Sequence, residues 1–217
     1  VSFDWNKQRL NGKAELQLKP YFYPVNMLTL DAKGFDLHVV ALQNNSSLTA
    51  LNYNYDGLEI TIELDKKYSR KDTLKIYIEY TAKPNDLIDS GDDAIASGKG
   101  LYFIDPLDKD PEKPSQIWTQ GETESSSCWF PTIDIPNEKM TQEISVTVKE
   151  KYLTLSNGEL IYQTENGDGT RTDVWAMNKQ HSPYLTMLAV GDFSVIEDVW
   201  RDSIDVNYYV EKEYAPH

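Results

Sequence analysis

The 217 residues carry 35 acidic against 21 basic side chains, a net charge of −14, so a nucleic-acid backbone would be repelled rather than bound. Hydrophobic residues make up 40% of the chain and tyrosines number 14, enough for the buried core of one large all-β domain or two small ones. The one cysteine, Cys128, has no internal disulfide partner, and no apolar run approaches the ~20 residues of a membrane-spanning helix.

The opening residues, Val1-Ser2-Phe3-Asp4-Trp5, lack an initiator Met, as expected of a trimmed or mature form whose upstream signal is out of view. The compartment stays open. Residues 10–18 alternate loosely. Residues 21–30 and 35–42 are apolar, β-branched or aromatic runs separated by Asp31-Ala32-Lys33-Gly34, a spacing that predicts a hairpin. Residues 51–55 and 58–64 alternate strictly on either side of Asp56-Gly57, which predicts a second hairpin with a tight turn. Residues 74–80 read as a further half-buried strand. Nowhere does a period of 3.6 persist.

Between 84 and 100 the composition shifts to Asn, Asp, Ser and Gly, which reads as a surface loop or a short helix. An apolar strand resumes at 101–104, and 105–114 is a second polar excursion. Beyond residue 140, a strand is expected at 143–149, and 159–164 is expected to pair with 170–177 across Asn166-Gly167-Asp168-Gly169. The nearly continuous apolar run 184–190 reads as a strand covered on both faces, and 204–210 closes the regular pattern. About a dozen strands with frequent turn signals predict an all-β domain of stacked or strongly curved sheets.

Much familiar chemistry is missing. His38, His181 and His217 are too far apart for the i, i+4 ligand pair of a helical zinc site. Cys128, between Ser127 and Trp129, has no neighbouring His and is expected to be a buried, neutral thiol. No G-x-S-x-G and no glycine-rich phosphate loop occurs. By itself the sequence does not read as a complete active site.

One stretch, 116–148, is richer. Gln120 and Glu122 flank Gly121, where the backbone permits close approach, with aromatics and prolines behind them. Thr119-Gln120-Gly121-Glu122 is followed, eight residues on, by Phe130-Pro131, then by Asp134-Ile135-Pro136 and a strand. This arrangement resembles the N-terminal β-domain of the zinc aminopeptidases related to aminopeptidase N and leukotriene hydrolase, the gluzincin metallopeptidases. The similarity extends through the opening F-D-W-N-K-Q-R-L-N-G-K-A, Leu30-Asp31-Ala32 with Gly34-Phe35, the 53–64 hairpin, Leu155-Ser156-Asn157-Gly158, Ser182-Pro183-Tyr184-Leu185 and Gly191-Asp192-Phe193.

The resemblance implies a saddle-like, mainly antiparallel all-β domain over residues 1–205, with 206–217 beginning the connection to a catalytic domain outside this chain. That domain would carry the zinc ligands and the catalytic residues. No metal ligand and no catalytic residue is expected here, and the chain alone is expected to be inactive. It further implies that Gln120, Gly121 and Glu122 bind the first residue of a peptide substrate. Glu122 would hold the α-ammonium, because a desolvated cation needs a carboxylate partner. Phe130, Asp134 and Pro136 are expected to shape the turn beside the site, and Trp118 and Trp129 to be core or wall aromatics. The family subgroup commonly has Arg where Ser127 stands and Cys where Thr132 stands. A stand-alone β-sandwich module binding protein or glycan, or a non-catalytic scaffold paralogue, is the alternative.

Overall fold

The computed structural model describes residues 1–87 and 98–215. The chain begins with β1 (Ser2–Asp4), β2 (Arg9–Leu18), β3 (Val25–Asp31), β4 (Phe35–Asn44) and β5 (Ser47–Ala50). Next come β6 (Tyr53–Tyr55), β7 (Glu59–Tyr68), β8 (Leu74–Ala82), β9 (Leu101–Ile104) and β10 (Gln116–Thr119). The last are β11 (Met140–Lys149), β12 (Leu153–Ser156), β13 (Glu159–Glu165), β14 (Thr170–His181), β15 (Leu188–Gly191), β16 (Phe193–Trp200) and β17 (Ile204–Glu211). Helical structure among the described residues is confined to single 3₁₀ turns.

Four sheets result. The largest has eight strands in the order β13-β14-β11-β1-β2-β8-β4-β5, the second four in the order β12-β15-β10-β9, the third three in the order β3-β7-β6, and the last is the hairpin β16-β17. All pairs are antiparallel except β1 with β11. β8 shows how alternation builds the core: Leu74, Ile76, Ile78, Tyr80 and Ala82 are buried while the residues between them are not. Each such large side chain contributes about 1.5–3 kcal/mol relative to exposure. They join Leu30, Ile60 and Ile62 of the three-stranded sheet and Leu101, Ile117, Leu188 and Val190 of the four-stranded one in a single apolar cluster, so three sheets share one core.

Gly12 of β2 lies opposite Tyr80, and a Cβ there would fall 2.3 Å from the tyrosine ring. The missing side chain is what lets the ring lie across the neighbouring strand. Tyr80 stacks on Phe35 at 4.7 Å, and its hydroxyl donates to the Trp129 carbonyl at 3.0 Å. The eight-stranded sheet is thereby tied directly to the 120–136 loop.

The 53–64 hairpin forms, with Tyr53 opposite Ile62 and Tyr55 opposite Ile60. The pairing of 159–164 with 170–177 also forms, through β13 and β14. The hairpin expected between 21–30 and 35–42 does not: β3 pairs with β7 and β4 with β5 and β8, in different sheets. The backbone of the intended turn is engaged elsewhere. Asp31 bridges Thr132, and the N–H groups of Ala32, Lys33 and Gly34 donate to Leu58, Ser127 and Gly57. Long-range partners take the bonds that a local turn would have used.

The strand expected over 184–190 is shorter. Pro183–Leu185 is a 3₁₀ turn, because Pro183 has no N–H for a ladder and favours the first position of a turn. Only Leu188–Gly191 pairs, between β10 and β12. β16 is a strand that the sequence reading passed over. It pairs with β17 from Phe193–Glu211 to Trp200–Ile204, so the hairpin spans residue 205, the expected end of the β-domain, and continues to Glu211. Of the loop expected over 84–100, Pro84–Asp86 is a 3₁₀ turn, and residues 88–97 lie outside the described residues.

Candidate functional site

The 120–136 loop starts where β10 ends. Thr119 Oγ1 accepts the Leu188 N–H at 2.9 Å, and the Gln120 N–H donates to the Gly100 carbonyl at 2.9 Å, which fixes the point of departure against β15 and β9. Gly121 is buried. A Cβ on it would lie 2.4 Å from the Tyr184 carbonyl oxygen and 2.8 Å from Ser126 Oγ, so glycine is required by close approach of two backbones rather than by φ.

Gln120 and Glu122 are brought together. The Gln120 side-chain carbonyl accepts the Glu122 N–H at 3.2 Å, so the glutamine shapes the turn that presents the glutamate. Its amide NH₂ makes no hydrogen bond among the described residues. Glu122 is exposed, and its carboxylate has neither a hydrogen bond nor an ion pair among the described residues.

Behind these two residues the loop is rigidly seated. The Gly121 carbonyl accepts the Ser125 N–H at 2.9 Å, and Ser126–Cys128 forms a 3₁₀ turn. Ser126 Oγ donates to the Pro183 carbonyl at 2.9 Å, and Ser182 Oγ to the Pro136 carbonyl at 2.5 Å. Both ends of the loop are thus held by the 182–184 segment. The Lys33 ammonium donates to the Glu124 carbonyl. Trp129 is core, Phe130 packs edge-on against it at 4.6 Å, and Trp118 stacks on Tyr102 at 4.6 Å. Cys128 is fully buried, and burial raises its thiol pKa to about 12. It is a neutral thiol at physiological pH, donating to the Gly98 carbonyl, and it is not a nucleophile.

Asp134 is the internal brace. One carboxylate oxygen accepts the Ser127 N–H at 2.8 Å, and the Asp134 N–H donates to Asp31 Oδ2 at 2.8 Å. The relay runs from the end of β3 through Asp134 into the middle of the loop. The second oxygen, Oδ1, is buried without a partner. The Ser127 hydroxyl sits beside the same carboxylate but does not meet hydrogen-bond geometry to it. Burial, the largest cause, raises the Asp134 pKa above the ordinary 3.8. Pro136 is exposed and Thr132 buried. Asp31, Lys33 and the 182–184 segment were not assigned to the site from sequence; the available signals were the Leu30-Asp31-Ala32 and Ser182-Pro183-Tyr184 runs of the family resemblance.

The sign of the Asp134 shift gives a test. A folded-state pKa above the unfolded value means that the stability this group contributes is complete below about 3.8 and is lost as pH rises through the raised value. Asp134→Asn keeps an acceptor for the Ser127 N–H without the buried charge. At pH 7 it should be at least as stable as the native chain in urea unfolding. Asp134→Ala should lose about 1–3 kcal/mol by leaving that buried N–H unpaired. Equal destabilisation by Asn and Ala would overturn the brace.

Among the described residues, no group of three or more His, Cys, Asp or Glu could hold a metal ion. What the loop offers is an exposed carboxylate beside a free amide NH₂, on a backbone that cannot shift easily: a fixed anion suited to a cationic, hydrogen-bonding ligand.

Comparisons with known proteins return aminopeptidases and also the transcription initiation factor TFIID subunit 2 of Danio rerio, 24% identical over 153 residues, 68% of this chain and 12% of that protein. Residues 1–185 match the family model described as the peptidase M1 N-terminal domain. The puromycin-sensitive aminopeptidase of Caenorhabditis elegans is 29% identical over 112 residues, 51% of this chain and 12% of that protein. The aminopeptidase N of Acetobacter pasteurianus is 23% identical over 197 residues, 91% of this chain and 52% of that protein. The chain thus spans about half of one relative and much less of the others. Among solved structures, the M1 zinc metallopeptidase from Deinococcus radiodurans superposes with a TM-score of 0.71 at 18% identity, over 93% of this chain and 42% of that one.

Proposed function

Because the chain belongs to the peptidase M1 N-terminal domain family, we propose that it is the N-terminal β-domain of a zinc-dependent aminopeptidase, forming one wall of the substrate cleft. Glu122 binds the α-ammonium of a peptide substrate. Gln120 offers its amide NH₂ to the substrate's first residue, and Gly121 keeps the turn pressed against Tyr184. Asp134, Phe130 and Pro136 hold the wall in place and do not touch substrate. Zinc and the residues that activate water belong to a catalytic domain outside these 217 residues, so this chain alone is inactive.

The observation that carries the reading is the exposed Glu122 carboxylate, without a partner among the described residues, on a loop braced at both ends. A carboxylate meant only to stabilise the loop would be expected to bond within it, as Asp134 does. A fixed anion at the end of a cleft admits a free chain terminus and rejects the middle of a peptide, which is the selectivity an exopeptidase needs.

The test is hydrolysis of aminoacyl chromogenic amides by the longer protein, with and without a zinc chelator. The expected result is chelator-sensitive release from free-amine substrates and little from their N-acetylated forms. Absence of activity on every free-amine substrate would shift the reading to a binding module or a scaffold.

A further inference from the structure

Between β2 and β3 the chain runs Lys19-Pro20-Tyr21-Phe22-Tyr23-Pro24. Its three aromatic residues are 80%, 80% and 81% exposed. Tyr21 and Phe22 meet edge-on at 4.7 Å, and Phe22 lies 6.5 Å from Tyr23, so the rings form one cluster. Flanking prolines restrict the backbone that carries it. Single exposed aromatics are ordinary; three consecutive ones that the fold leaves almost entirely in water are not.

The surroundings of the cluster differ from the rest of the chain. Leu18 pairs with Leu74, and Val25 with Tyr68. The 69–73 turn and the last residues of β7 therefore sit at the same end of the fold as the aromatic loop. This end presents Lys19, Lys66, Lys67, Arg70 and Lys71, all exposed, against two carboxylates, Asp65 and Asp72. On a chain with a net charge of −14, this is a local reversal of sign. It lies at the opposite end of β3 from Asp31, which braces the candidate site, about 20 Å away at the rise of an extended strand.

We propose that this end of the molecule docks on an anionic lipid bilayer. The Tyr21, Phe22 and Tyr23 rings insert at the level of the head groups, and the basic residues contact the lipid phosphates. Tyrosine suits that depth because its ring is apolar and its hydroxyl can stay hydrated. Basic residues beside an anionic leaflet add attraction that falls off within a Debye length. The same charge reversal orients the acidic remainder of the chain away from the surface. The proposal does not depend on the substrate-binding reading.

The test is co-sedimentation of the chain with vesicles of phosphatidylcholine alone or mixed with about 30% phosphatidylglycerol. Binding is expected to the mixed vesicles and to be at least about fivefold weaker to the neutral ones. It should also weaken as salt rises from about 0.1 M to about 0.5 M. The triple variant Tyr21→Ser, Phe22→Ser, Tyr23→Ser should lose about tenfold in binding, and Lys66→Glu with Lys67→Glu a comparable amount. These side chains are exposed, so the variants should keep the native far-UV spectrum. No binding to anionic vesicles, equal binding to neutral ones, or unchanged binding by the triple variant would overturn the proposal. Retention on immobilised polyglutamate without vesicle binding would instead identify an acidic polypeptide as the partner.

Discussion

Replacing Glu122 by Ala in the longer protein should lower kcat/KM for free-amine substrates by about ten- to a hundredfold, the equivalent of losing one charge-assisted hydrogen bond worth about 1.5–3 kcal/mol. The loss should fall mainly on KM, because the ammonium is held in the ground state as well as in the transition state. Glu122→Gln keeps an acceptor without the charge and should lie between the two. Stability should change by less than about 0.5 kcal/mol, since the side chain is exposed and bonds nothing among the described residues. Unchanged kinetics in Glu122→Ala would remove the residue from the site without touching the family membership.

The second large effect is structural. Asp173 of β14 is 1% exposed. It accepts from Thr154 Oγ1 at 2.6 Å, Gln163 Nε2 at 2.8 Å and Arg171 Nε at 3.1 Å. Thr154 in turn accepts from the Trp175 indole N–H at 3.0 Å. Thr154 lies in β12 of the four-stranded sheet and the other partners in β13 and β14 of the eight-stranded one, so the network ties two sheets together. Asp173→Ala leaves a mostly buried guanidinium without its anion. It should cost about 3–5 kcal/mol, a large part of a domain stability of about 5–15 kcal/mol. Urea unfolding should show a lower midpoint with an unchanged slope. Because β12 pairs with β15, and β15 with β10, part of the support beneath the Gln120 turn goes with it. A loss below about 1 kcal/mol would mean that the network is not coupled to the fold in this way.

The local layers of this structure were legible from sequence where the pattern was local. Strict alternation around Asp56-Gly57 predicted β6 and β7, and alternation in 74–80 predicted β8, because in both cases neighbouring residues decide the outcome. Asp31-Ala32-Lys33-Gly34 has the composition of a turn but serves as a long-range junction. Nothing nearby in sequence shows that Ser127 and Leu58 take its N–H groups. The candidate site divides in the same way. Gln120, Gly121 and Glu122 lie on one loop and were singled out together by the motif that carries the family resemblance. The elements that hold them, Asp31 at the end of β3 and the 182–184 segment, are tens of residues distant and become neighbours only when the sheets stack. Asp134 was expected to shape the turn beside the site. It does so by accepting the Ser127 N–H upstream while its own N–H donates to Asp31, a partner that nothing near it in sequence indicates.

The amine-anchor reading is tested most directly by removing the amine and the carboxylate in turn. Native and Glu122→Ala forms of the longer protein would be compared on a leucyl amide and on its des-amino analogue, which differs only in lacking the α-ammonium. If Glu122 holds that ammonium, the native enzyme should prefer the free amine by at least about tenfold more than the variant does, a coupling of about 1.4 kcal/mol. Equal discrimination by both enzymes, with the variant otherwise active, would contradict the assignment of Glu122 and place the amine site elsewhere.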